Sequence, residues 1–173
     1  LDELKLERDT LVFFLSDNGG PLAAGWNGSS NGPLRAGKGA VYEGGIRVPF
    51  AVRWRGRLPE GKDIAAPVIS LDIFPTAVAA ARAALPDGLK LDGVNLLPHL
   101  LGESPNPPHE RLFWRTGGGH TGAVREGRWK LVRSAQGKPE LYDLDADLHE
   151  TTNLADKQPD VLDRLLKAYD DWN

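Results

Sequence analysis

The sequence contains no cysteine, which removes disulfides, thiolate nucleophiles and cysteine-held metals together. Methionine is absent as well, and the chain opens at Leu1, so it reads as a piece of a longer polypeptide. The missing secretory signal therefore leaves the compartment open. Long hydrophobic runs are lacking too. Leu11-Val-Phe-Phe-Leu15 covers 5 residues, whereas a helix needs about 20 apolar residues to cross a bilayer. Nor is there an excess of positive charge: 21 Lys and Arg against 24 Asp and Glu leave a net charge of −3. Neither nucleic acid nor an anionic membrane is expected as a partner on that balance.

What is present suits a globular domain or one large subdomain. With 173 residues, 40% hydrophobic and 26% charged, the chain can bury about 70% of its unfolded surface. Its 20 glycines and 13 prolines imply many turns. Thr10 to Leu15 is a continuous apolar run, the habit of a strand buried on both faces in a parallel sheet. It ends at Ser16-Asp-Asn-Gly-Gly20, the carboxyl end of the strand, where open α/β sheets place their sites. The glycine-dense stretch from Gly19 to Gly45 has neither helical nor alternating period, which marks it as functional or poorly ordered.

Phe50 to Trp54 alternates as a strand, with Pro49 at its start. Ser70 or Asp72 is expected to cap a helix running to about Leu85, with Pro75 in its first turn. Asp92 to Leu101 reads as short helical or irregular structure, and Ser104 to Pro108 as a linker. This divides the chain into 1–103 and 109–173. Beyond the linker, Arg111–Arg115, Ala123–Glu126, Trp129–Arg133 and Glu140–Leu144 are strand candidates, with Glu126-Gly-Arg128 as a hairpin turn. Pro159 then opens a helix that gathers Val161, Leu162, Leu165, Leu166, Tyr169 and Trp172 on one face. The fold class is thus α/β, ending in a small four-stranded antiparallel sheet packed on a C-terminal helix.

Several residue groups could carry chemistry. Asp17-Asn18 offers two hard oxygen donors of the kind that suits Ca²⁺ or Mg²⁺. The same residues are ordinary turn formers, and both readings stand on the spacing. The EF-hand pattern is not met, because Gly19 and Pro21 occupy ligand positions. Gly32-Pro-Leu-Arg-Ala-Gly-Lys-Gly39 comes within one residue of a phosphate loop, but Gly39 stands where Ser or Thr is needed. Lys38 between two glycines can still be approached closely and offers a point charge to an oxyanion. Arg47, Arg53, Arg55 and Arg57 read as a solvated face, given Glu43, Glu60 and Asp63 nearby. His99, His109, His120 and His149 show no metal spacing. His120 follows three glycines, which suits a surface loop, and Asn27-Gly-Ser29 matches the N-glycosylation triplet.

The order of motifs adds a resemblance. Leu11-Val-Phe-Phe-Leu-Ser-Asp-Asn-Gly-Gly20, Leu34-Arg-Ala-Gly-Lys-Gly39 and Tyr42-Glu-Gly-Gly-Ile-Arg-Val-Pro49 follow one another as in the C-terminal half of the sulfatase family. Asp72-Ile-Phe-Pro-Thr76, Leu91-Asp-Gly93, Leu96-Leu-Pro98, Arg128-Trp-Lys-Leu131, Glu140-Leu-Tyr-Asp-Leu144 and Glu150-Thr-Thr-Asn-Leu-Ala155 continue the match. The resemblance covers nearly the whole chain and implies an arylsulfatase-like α/β fold of the alkaline-phosphatase superfamily. It further implies that Asp17 and Asn18 are ligands of an active-site Ca²⁺ and that Lys38 binds a sulfate oxygen. Sulfated small molecules or glycans would be the substrates.

The family also uses a formylglycine made from Cys or Ser in a C/S-x-P-x-R motif, and no such motif occurs here. The chain is therefore expected not to turn over sulfate esters on its own, and to hold calcium weakly or not at all outside the intact parent. A fragment of a related phosphate- or phosphonate-ester hydrolase, or a binding module that keeps only the fold, are the alternatives. An apolar strand at Thr10–Leu15 without its neighbours would invite a dimer, a strand swap or local disorder in the first fifty residues.

Overall fold

In a computed structural model of the chain, residues 1–22, 28–116, 121–134 and 137–173 are described. They fall into two compact units, Leu1–Leu15 with Phe50–Glu110, and Ser16–Pro49 with Arg111–Asn173. Among the described residues no helix is long and apolar enough to cross a membrane.

The first unit holds β1 (Val12–Leu15), β2 (Phe50–Arg53), α2 (Ile73–Ala80) and α3 (Leu97–Leu100); α1 (Glu43–Ile46) lies in the second. The sequence expectation for β1 is corrected here. It pairs antiparallel with β2, Phe13 opposite Val52, and Phe14 is 69% exposed. Pleating sends Phe14 to the face opposite Phe13, and only the Phe13 face is covered, where its ring meets Phe50 edge-on at 6.2 Å. Arg53 and Arg55 both pair with Glu7, whose carboxyl is lowered to about 2 by hydrogen bonds from Asp2 and then Arg53.

The helix expected to reach Leu85 stops at Ala80. Arg82 takes φ 54°, its N–H bonds the Ala79 carbonyl, and the Ala83 N–H reaches back to Val78. That is a Schellman closure built without glycine. The Asp72 side chain does not cap α2. It accepts the N–H groups of Ile69 and Val94 at 2.9 and 2.8 Å and pairs with His109. Thr76 accepts the N–H of the buried Leu96 at 2.9 Å, so the Asp72–Thr76 motif pins the segment entering α3.

The second unit is a meander of β3 (Arg111–Arg115), β4 (Gly122–Glu126), β5 (Trp129–Arg133) and β6 (Glu140–Asp143), followed by α4 (Pro159–Trp172). Gly127, at φ 56°, opens the two-residue turn between β4 and β5. Period-2 alternation splits the strands between two faces. Val124, Leu131 and Leu141 pack with Leu165 and Tyr169 of α4. Each such side chain contributes roughly 1.5–3 kcal/mol on burial. Ala123, Val132, Tyr142 and Leu144 form the opposite face, and Val41 with Tyr42 covers them. The sheet is therefore buried on both sides, with the helix on one and the segment leading into α1 on the other.

Because Arg82 is held in a left-handed conformation, Arg82→Gly is expected to stabilise the chain by up to about 1 kcal/mol, read as a higher urea midpoint. A lower midpoint would refute the helix stop described here.

Candidate anion and metal site

Asp17 and Asn18 lie just beyond β1 in a turn closed by their own chemistry. Ser16 Oγ donates to the Asn18 carbonyl at 2.9 Å, and Asn18 Nδ2 donates to the Gly19 carbonyl at 3.0 Å. The amide nitrogen of Asn18 is thus engaged, which leaves Oδ1 as the atom to offer a ligand. Asp17 is exposed, and its carboxylate has no partner among the described residues. The turn reading and the ligand reading are therefore compatible.

Two further loops meet this turn through backbone. The Gly19 N–H donates to the Gly45 carbonyl at 2.9 Å, and the Lys38 N–H donates to the Gly20 carbonyl at 3.2 Å. Asn31 bridges Gly20 in both directions, accepting its N–H at 2.7 Å and donating to its carbonyl at 2.8 Å, and also donates to Ala36. Glycine is required where the loops touch. A Cβ on Gly19 would stand 1.7 Å from the Gly44 oxygen, and one on Gly44 would stand 2.4 Å from the Arg35 oxygen. The structure thus ties the Lys38 backbone to Gly20, two residues beyond Asn18.

Lys38 is exposed, and its ammonium has no partner among the described residues. Nearby cations are engaged. Arg35 donates to the Tyr142 hydroxyl at 2.7 Å and to the Glu150 carbonyl at 3.0 Å, and stacks over Tyr42 at 3.8 Å. Arg47 pairs with Glu43. Tyr42 and Tyr142 both donate to Glu140. Burial first, and then that carboxylate, push both phenols above their usual range.

Sequence reasoning passed over the individual roles of Asn31, Arg35, Glu43, Lys130 and Glu150. One signal was available: Lys130 stands between Trp129 and Leu131 in an apolar strand, and a lysine there needs carboxylates close by. His120 and Asn27, noted in the sequence, lie outside the described residues.

As a metal site the donor set is right in kind and short in number. Asp17 and Asn18 offer hard oxygens, while Ca²⁺ takes about six to eight. No group of three or more His, Asp or Glu among the described residues could hold a metal. The described residues supply part of such a shell only.

Gly44→Ala is expected to destabilise the chain by about 2–3 kcal/mol through backbone overpacking, measured by urea unfolding. Gly39→Ala, whose Cβ would meet nothing within 4 Å but whose φ is 88°, should cost about 1 kcal/mol. Equal costs would contradict the close loop contact.

The sulfatase family model matches residues 1–83. Arylsulfatase A of Bos taurus is 35% identical over 193 residues, covering 96% of this chain and 37% of its own length. Steryl-sulfatase of Mus musculus is 45% identical over 119 residues, covering 65% of this chain and 19% of its own. The crystal structure of Ps i-CgsB superposes with a TM-score of 0.89 at 31% identity, covering 99% of this chain and 38% of that one. The chain spans between about a fifth and two-fifths of the length of these proteins. With the motif order, the loop geometry and the two-faced terminal sheet all in agreement, the chain belongs to the sulfatase family of the alkaline-phosphatase superfamily.

Proposed function

We propose that this chain supplies the sulfate-gripping side of a sulfate-monoester hydrolase, with Lys38 on the anion and Asp17 and Asn18 on a calcium ion. The observation that carries the reading is the backbone bond from the Lys38 N–H to the Gly20 carbonyl, which joins the Lys38 loop to the segment leaving the Asp17–Asn18 turn while the charged ends of Asp17 and Lys38 stay exposed. Cleavage of a sulfate ester spreads negative charge over the sulfuryl oxygens and the leaving oxygen. A fixed ammonium beside one of those oxygens stabilises the charge as it grows. A bound divalent cation would supply Lewis-acid polarisation of the same group. Asp17 would hold that cation by charge, and Asn18 by its amide oxygen.

The nucleophile is not among these residues, since no C/S-x-P-x-R run is present. The chain by itself would bind a sulfated small molecule or glycan without turning it over. Exposed Phe14, Leu71 and Phe74 support self-association of the isolated chain as well.

Calorimetry with inorganic sulfate in the presence of CaCl₂ tests the reading. Lys38→Ala is expected to weaken sulfate binding about tenfold or more, the usual worth of a charge-assisted hydrogen bond. Asp17→Asn with Asn18→Ala should remove the calcium dependence. Sulfate binding indifferent to Lys38, or hydrolysis of an aryl sulfate by the unaltered chain above buffer background, would overturn it.

A further inference from the structure

One buried lysine is remote from the site residues in sequence. Lys130, on β5, is fully buried. Its Nζ lies 2.8 Å from Glu43 Oε1 and 2.7 Å from Glu150 Oε1. Glu150 Oε2 accepts the Glu43 backbone N–H at 2.7 Å, and Arg47 approaches the second oxygen of Glu43 at 3.4 Å. Glu43 is therefore held by both its side chain and its backbone, at the first residue of α1.

The next two residues carry both site loops. The Gly44 N–H donates to the Arg35 carbonyl at 2.8 Å, three residues before Lys38, and the Gly45 carbonyl receives the Gly19 N–H beside Asn18. Glu150 adds a second tie, since its own carbonyl accepts Arg35 at 3.0 Å while its backbone is held at φ 55°. Residues off the favoured backbone regions persist where surrounding contacts over-determine them. Because the Lys38 ammonium has no hydrogen-bond or ion-pair partner among the described residues, its place follows from this backbone framework.

We infer that Lys130 is a positioning residue for the anion site, its ammonium fixing α1 and through it the placement of Lys38 and Asn18. The inference rests on the anion-site reading above, but its structural half can be tested without a ligand. Removing the lysine leaves two carboxylates facing each other in a dry setting, which forces the pair apart or forces one to take up a proton. Movement there displaces α1 before it displaces the helix-covered face of the sheet, because Glu43 belongs to α1 and Glu150 to the loop after β6.

The test is amide hydrogen exchange by NMR on the 173-residue chain and its Lys130→Met and Glu150→Gln variants. Expected for Lys130→Met is a loss of protection of about tenfold or more at the Gly19, Lys38, Gly44 and Gly45 amides, a ratio set by roughly 1.4 kcal/mol of easier local opening. Amides of Val124, Leu131 and Leu165 should change far less. Inorganic sulfate with CaCl₂ should bind about tenfold more weakly although Lys38 is intact. Glu150→Gln should give a smaller loss at the same loop amides, and it decides the matter if Lys130→Met does not fold.

Equal loss across loops and core, or no change in the loops, would overturn the positioning role and leave Lys130 a purely structural residue. If the unaltered chain takes up no sulfate, the anion-site reading fails alone, and the exchange pattern still decides the role of Lys130.

Discussion

An ammonium sealed between two carboxylates is the interaction on which the placement of α1 depends. Moving Lys130, Glu43 and Glu150 out of water carries a large desolvation penalty, which only close pairing offsets. Burial pushes the Glu150 carboxyl up, while Lys130 and the Glu43 N–H pull it back. The triad tolerates little displacement, because any one member moved away leaves a buried charge without its partner. A constraint of this kind is poor at adding stability and good at fixing register. Here it fixes a polar loop against an apolar sheet.

The four-stranded sheet is buried on both faces, and Lys130 lies on one of them. The helix-covered face is an ordinary hydrophobic core, with Phe113 stacked on Trp172 at 5.0 Å beside it. The other face mixes Val132 and Tyr142 with Lys130, and the segment it receives leads straight into α1. Arg35, Tyr42, Glu140 and Tyr142 form a second polar contact on that side. The sheet thereby serves as the platform on which the segment leading into α1 rests.

Regular elements were the most legible part of the sequence. Trp129–Arg133, Arg111–Arg115 and the helix Pro159–Trp172 appear at the boundaries their periodicity suggested, because alternation and the 3.6-residue stripe answer directly to burial. The end of α2 was not legible, since Arg82 takes the left-handed position where glycine is the usual signal. The partner of β1 was not either, because an apolar run does not say which neighbour it meets. Motif order singled out Asp17, Asn18 and Lys38, and the structure brings their loops into contact. The triad escaped notice because Lys130 lies 87 residues from Glu43, and Glu150 lies 107. Pairings that distant leave no local period to read.

The most direct test is a crystal structure of the chain grown with calcium and sulfate, with anomalous scattering used to locate the metal. The account expects calcium about 2.3–2.6 Å from oxygens of both Asp17 and Asn18, and a sulfate oxygen within about 3.2 Å of Lys38 Nζ. Calcium and sulfate bound to unrelated surface groups, with the Asp17 turn and the Lys38 loop drawn apart, would contradict it.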